Sequence, residues 1–282
     1  MMAIFLRKLR NNWLMILGWG IGLGFLGFYL FDIYENFFNQ NIDLRELFSA
    51  FPEDILAFFG GDVNLFEPSG FLHLEFFSYM PIILGIMVIS SATSLISKKE
   101  EEGTLEIIIA QPVSRSLVFW SRLLALLVSV ILILAIIWGG FALGLSTTTT
   151  FDIDQNEMVR PLVSLFAILF PFLAIALFLS MVLPSSSAAS LVSGFTLIAF
   201  FFISSLARID ENLEPINRFS PFKYYQGGAA VDGLDLQNLL ILFGISIVFI
   251  ALAWFFFVKR DLRFGGSGGL RLVFPTKDAE GK

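Results

Sequence analysis

The chain runs to 282 residues, of which 56% are hydrophobic and only 15% charged, with a mean hydropathy of +0.81; soluble domains carry about 25% charged residues, so an ordinary soluble enzyme is excluded. Thirty-four Phe give it far more apolar surface than a solvated, disordered coil tolerates. Eighteen Lys and Arg against 24 Asp and Glu leave a net charge of −6 and no global basic field for nucleic acid, and the absence of cysteine excludes a disulfide framework, a thiolate nucleophile and a Cys-based metal site.

In chain order, Met2 to Trp13 mixes Ile4, Phe5, Leu6 and Leu9 with Arg7, Lys8 and Arg10, which suits either a short helix lying in a membrane interface or a plain basic flank. The apolar run after it is about 19 residues long, beyond the roughly 7 to 15 of a secretory signal core, and reads as an uncleaved first span. A hydrocarbon core about 30 Å thick needs about 20 apolar helical residues. Six segments meet that requirement: Trp13 to Phe31, Phe76 to Ile96, Leu117 to Leu145, Pro161 to Leu183, Ala188 to Ala207, and Leu239 to Val258. The expected fold class is therefore an all-α integral membrane protein with six transmembrane helices. Residues 1–262 form one membrane domain, and 263–282, with Gly265 to Gly269 as a flexible linker composition, form a cytoplasmic tail.

Between these spans the sequence carries further expectations. Gly18/Gly22 and Gly20/Gly24 both fit the small-xxx-small spacing of a close helix contact, with no partner identified. Ile42 to Phe59 places apolar residues at near-helical spacing, which suits one or two amphipathic helices on the outer leaflet, serving either as a lid packing on the protein's own spans or as a substrate contact. Ser114 is positioned to cap the helix that begins the third span, and Ser185 to Ser187 make a tight turn between the fourth and fifth. The stretch Arg208 to Gly233, with Pro215, Pro221 and Gly227-Gly228, is too polar and broken to span.

Lys and Arg are retained in cytoplasmic loops. Thirteen fall at the N-terminus, in the second loop (Lys98, Lys99, Arg115, Arg122) and in the tail, while five (Arg45, Arg160, Arg208, Arg218, Lys223) fall on the opposite side. Both termini are thus expected in the cytoplasm, and an even number of spans agrees by placing them on one side. The spans themselves lack what intramembrane chemistry needs: from Phe76 to Ile96, Leu123 to Phe151, Leu162 to Ala207 and Leu236 to Val258 there is no Asp, Glu, Lys, Arg or His, whereas proton relays and ion paths are built from such groups. The lone His73, beside Glu75, reads as an interfacial polar residue at the edge of the second span rather than a metal ligand. No HExxH, GxSxG or P-loop pattern occurs. Any energy for work must come from another subunit.

The second loop is the most informative segment. In Glu100-Glu101-Glu102-Gly103-Thr104-Leu105-Glu106-Ile107-Ile108-Ile109-Ala110-Gln111-Pro112-Val113-Ser114-Arg115, acids precede a short apolar helix, where they favour its positive N-terminus, and Pro112 stops that helix from running into the next span. The plainer alternative is a loop that only joins two spans. The run resembles the first intracellular loop of permease subunits of ABC-2 type ATP-binding-cassette transporters, in which E-G-T-L-E is followed by a P-V-S-R turn. Two further stretches match that family in order, RFSPFKYYQGG (Arg218 to Gly228) before the last span and FVKRDL (Phe257 to Leu262) after it.

The resemblance implies an ABC-2, type V exporter-like transmembrane domain with a cytoplasmic coupling helix that docks into a separate nucleotide-binding subunit. It assigns that contact to Glu102, Gly103, Thr104, Leu105, Glu106, Pro112, Val113, Ser114 and Arg115. It makes Arg208 to Gly233 a set of short helices dipping back at the outer exit, where Pro221, Phe222, Tyr224 and Tyr225 lie and the aromatic three would form a belt. It implies no cofactor in this chain, with ATP and Mg bound by two copies of a cytoplasmic ATPase subunit, a second permease chain, identical or paralogous, and a prokaryotic plasma (inner) membrane. The function expected is ATP-driven export of an amphipathic or hydrophobic substrate. An ATP-independent channel or carrier, and a membrane scaffold or sensor that docks a cytoplasmic partner, stand as the alternatives.

Overall fold

A computed structural model describes residues 2–39, 52–60, 67–96, 114–149, 151 and 153–259. Among them the regular structure is helical, and six helices are long and apolar enough to cross a membrane: Trp13–Phe37, Pro68–Thr93, Arg115–Thr147, Val159–Val182, Ser186–Leu206 and Leu236–Lys259. We number them spans one to six. The protein is an all-α, multi-pass integral membrane protein. Span two starts eight residues earlier than its hydropathy suggests, because Pro68–Leu72 and the π-helical turn His73–Phe77 continue into the helix Met80–Thr93. The residues added mix Ser69, His73 and Glu75 with Phe71, Leu72 and Leu74, and most are buried in the fold; burial, not hydropathy, keeps them helical.

Spans two and four form the centre, each 67% buried, while span six is only 28% buried and lies outside. Span four packs along spans two and six, span five along span two, and span one along span three. The last pairing explains part of the glycine pattern. A Cβ at Gly140 would lie 2.1 Å from the Gly24 carbonyl oxygen, and one at Gly24 would lie 3.1 Å from that of Ile136, so the two backbones meet where only hydrogen fits between them. Gly20 and Gly24 thus belong to this seam, whereas a Cβ at Gly18 or Gly22 would meet nothing within 4 Å; that half of the expected packing face points away from the bundle. Beyond the glycines, Phe31, Phe76 and Phe141 join spans one to three, with ring centroids 5.9 Å apart for Phe31 and Phe141 and 5.0 Å for Phe76 and Phe141. Each such edge-on aromatic pair contributes roughly 0.5–1.5 kcal/mol beyond its burial.

The helix Met2–Asn11 precedes span one with none of its residues buried, which suits the interfacial alternative and not a structureless flank. The turn between spans four and five is as short as expected: span four ends at Val182, and the Ser185 hydroxyl accepts from the Ala188 N–H at 3.1 Å to begin span five. Span three begins under the Ser114 cap, whose hydroxyl accepts from the Leu117 N–H at 3.3 Å. We call the end bearing Met2 and Lys259 proximal and the other end distal.

Candidate functional site

At the distal end, residues 210–233 fold into short pieces, Glu211–Leu213, Glu214–Asn217, Pro221–Tyr224 and Gly227–Val231, none long enough to span. Prolines at the starts of two of them and Gly227 in the left-handed region (φ 53°) enforce the breaks. They are bound to the spans by buried and part-buried polar contacts. The Gly228 N–H donates to His73 Nδ1 at 2.9 Å, the Tyr225 hydroxyl to the Phe77 carbonyl at 2.9 Å, Arg160 Nη1 to the Val231 carbonyl at 2.7 Å, and the Gln226 N–H to the Ser164 hydroxyl at 3.1 Å. A second knot lies nearby, with Ser204 Oγ 2.6 Å from Asn217 Oδ1 and 2.9 Å from Ser220 Oγ.

This arrangement corrects two expectations. His73 is not an interfacial residue: it is 4% exposed, and a Cβ on Gly227 would lie 2.6 Å from its ring. Its role is to accept a backbone N–H that the broken loop would otherwise leave unsatisfied. Nor do the aromatics form an outward belt. Phe222 is 5% exposed, with its ring 5.5 Å from that of Phe172 and 5.6 Å from that of Phe201, and Pro221 is buried beside it. Tyr225 turns inward to its bond with Phe77, and burial pushes its phenol well above the usual value. Tyr224 donates to the Arg218 carbonyl at 3.0 Å. At the rim, Lys223 Nζ and Asn217 Nδ2 both donate to the Glu214 carboxylate, and these hydrogen bonds hold its carboxyl below the usual range.

Helix Glu53–Gly60 lies over the same end. Its Phe58 ring sits 5.8 Å from those of Phe201 and Phe202, its Phe59 carbonyl accepts from the Ser78 hydroxyl at 2.7 Å, and its Phe58 carbonyl accepts from Arg208 at 3.4 Å. Of the two readings of this segment, the described part is the lid packed on the protein's own spans; Ile42 to Phe51 lie outside the described residues.

Two cavities open sideways on span three. One of about 870 Å³ lies against span one, lined by Gly24, Phe25, Phe28, Gly139, Gly140 and Leu143 among others. One of about 420 Å³ lies against span four, lined by Leu134, Trp138, Leu162 and Phe166 among others. Both linings are almost wholly apolar. Sequence reasoning missed them, since each lies between two helices whose pairing no single segment encodes.

At the proximal end, Glu102, Gly103, Thr104, Leu105, Glu106, Pro112 and Val113 lie outside the described residues. Ser114 and Arg115 stand at the head of span three, Ser114 as its cap. Arg122, counted with the second loop's charges although it falls inside the expected span Leu117 to Leu145, lies within the helix, 7% exposed, and its Nη1 donates to the carbonyl of Leu95 just past the end of span two. A single basic residue interrupting the start of an apolar run was the signal available for it. Other side chains tie the proximal ends together: Thr93 and Ser190 hydroxyls lie 2.7 Å apart, Ser91 Oγ is 3.4 Å from Met15 Sδ, Asn12 donates to Ser129 at 3.0 Å, and Trp254 donates to Ser116 at 3.1 Å.

Comparison with known proteins adds two findings. The family model described as "Multidrug efflux system permease Rv1217c, C-terminal domain" matches residues 5–257, nearly the whole chain. A curated relative, the "Uncharacterized membrane protein YdbK" of Bacillus subtilis (strain 168), is 28% identical over 214 residues, which cover 67% of this chain and 83% of that protein.

Proposed function

We propose, from the premise that this chain belongs to the multidrug efflux system permease family whose model it matches over residues 5–257, that it is the membrane-spanning permease subunit of an ATP-driven exporter of the ABC-2 type. The family match carries this reading. It makes the chain a membrane transport permease; ATP as the energy source rests on the Glu102 to Arg115 run and its resemblance to a coupling helix. In this reading the proximal end faces the cytoplasm, as its excess of Lys and Arg favours, in a prokaryotic plasma membrane. The loop from Lys98 to Arg115 docks into a separate ATPase subunit that binds ATP and Mg, and closure of two such subunits tilts spans two and three.

The substrate proposed is an amphipathic or hydrophobic molecule of the drug type that the family's description names. Two observations support that class. The stretches of the spans free of ionisable residues offer no partner for a strongly ionic solute, and both lateral cavities are lined by apolar side chains. A second permease chain, identical or paralogous, is proposed to complete the pathway. Span five leaves Leu191 and Phe195 75% and 76% exposed, and beyond it Phe219 is 80% exposed at the distal end, a strip suited to a partner helix as well as to lipid.

The deciding experiment is purification of the chain from its native membranes in mild detergent, with mass spectrometry of what accompanies it. A stoichiometric chain carrying a Walker-type ATPase motif is expected, and Glu106→Arg should abolish transport while the permease still accumulates in the membrane. A permease that purifies alone even after crosslinking at Glu106 would overturn the ATP-driven reading and move the channel and scaffold readings ahead.

A further inference from the structure

Arg122 is the one Lys or Arg buried among the described residues. A guanidinium in or near a bilayer is retained only where something in the fold requires it. Among the described residues no carboxylate lies within ion-pair distance of it. What it meets instead is the Leu95 carbonyl. Span two ends at Thr93, and the turn through Ser94 and Leu95 closes on its last carbonyls, where the negative pole of the helix dipole lies. A cation directed at that terminus is the electrostatic complement of the site.

The position of this contact gives it significance. Leu95 and Ile96 are 2% and 1% exposed and are the last described residues before the segment 97–113; the chain returns at Ser114 to begin the helix on which Arg122 sits two turns later. Arg122 therefore joins the point where the chain leaves span two to the helix on which it comes back. The same end of span two reaches span five through Thr93 and Ser190, and span one through Ser91 and Met15. The proximal end of span two is thus joined to three neighbours by side-chain polar contacts.

We propose that Arg122 is a positioning residue for energy coupling: by clasping the Leu95 carbonyl it locks spans two and three together at the proximal end, so that displacement of the loop between them moves both as one body. This rests on the proposed reading of that loop as the ATPase-contacting element. A guanidinium suits the role because its planar fork keeps a fixed direction, whereas an ammonium is a rotating point donor.

The test uses the permease with its ATPase subunit in vesicles, comparing the parent with Arg122→Met and Arg122→Lys. The Met variant should still co-purify with the ATPase and hydrolyse ATP, but move about tenfold less substrate per ATP hydrolysed; Lys should recover part of the loss. A second measurement needs no transport. The chain has no cysteine, so Ser90→Cys with Leu124→Cys, both at exposed positions, takes a unique pair of spin labels across the proximal ends of spans two and three. The parent should give one narrow distance and Arg122→Met a broadened one. An unchanged transport-to-ATP ratio in the Met variant overturns the coupling role, an unchanged distance overturns the clasp, and transport and ATP turnover falling in equal proportion mark a residue needed only for assembly, which also overturns it. If no ATPase accompanies the parent itself, the exporter reading fails, and the coupling role with it, while the distance measurement still decides the clasp.

Discussion

The two ends of span two are held in different ways. Its distal end is a π-helical turn enclosed on several sides, where His73 takes a backbone N–H from Gly228 and Phe77 a hydroxyl from Tyr225, each bond pairing one backbone group with one side chain. Its proximal end is tied by single side chains, Ser91, Thr93 and, from span three, Arg122. The distal contacts close a broken loop onto the helix and fix its geometry; at the proximal end the two part-buried hydroxyl contacts can be exchanged at small cost, while the buried Arg122 contact holds spans two and three to each other. The difference suits a helix anchored at one end and moved at the other, as the proposed coupling requires.

The largest expected effect tests the anchor. In Gly228→Val a Cβ would lie 2.6 Å from His73 Cβ and 2.8 Å from the Ser69 carbonyl oxygen, neither of which can yield without moving the helix, so the variant should lose about 3 kcal/mol or more and fail to accumulate as monodisperse protein in detergent. Gly233→Val, at a position where a Cβ meets nothing within 4 Å, should behave as the parent. Equal accumulation of the two would break the picture of a rigid distal end.

A paired comparison sharpens it. Asn217→Ala deletes the acceptor 2.6 Å from buried Ser204 and should cost about 1–3 kcal/mol, whereas Thr93→Val at the proximal end, close in shape and leaving a half-buried Ser190 behind, should cost under about 1 kcal/mol. Thermal unfolding of the two variants in the same detergent measures the difference, and the reverse order would overturn the assignment of rigid and yielding ends.

The smallest effect lies at the exposed rim. Hydrogen bonds from Lys223 and Asn217 hold the Glu214 carboxyl below its usual range, so whatever stability the group adds is present above its unfolded value of about 4 and lost as pH falls through the lower folded value. Lys223→Ala should therefore shift the midpoint of unfolding barely at neutral pH and not at all in strong acid. A large shift at neutral pH would place this ion pair in the distal framework rather than at its edge.

Six spans, the short turn after Val182, the Ser114 cap and the broken segment from Arg208 to Gly233 were all legible in the sequence, because a bilayer imposes length and hydropathy on each helix one at a time and caps are local. That the chain is a membrane transport permease was legible as well, carried by contiguous runs. The start of span two was not, since Pro68 to Glu75 is too polar by hydropathy and becomes helical through burial among neighbours. The aromatics illustrate the same limit. Phe222 and Tyr225 look like interfacial residues in sequence, yet one fills the core against Phe172 and Phe201 and the other reaches inward to Phe77.

The sequence by itself thus determined the fold class, the number of membrane helices and the absence of ionisable groups from most of their length, all properties of single segments in a given solvent. Only the tertiary structure decided which glycines face another backbone, that His73 satisfies a loop N–H, and that Arg122 closes on span two. Each of these depends on two segments distant in the chain meeting at van der Waals or hydrogen-bond distance, and neither hydropathy nor periodicity along one segment carries the identity of its neighbour.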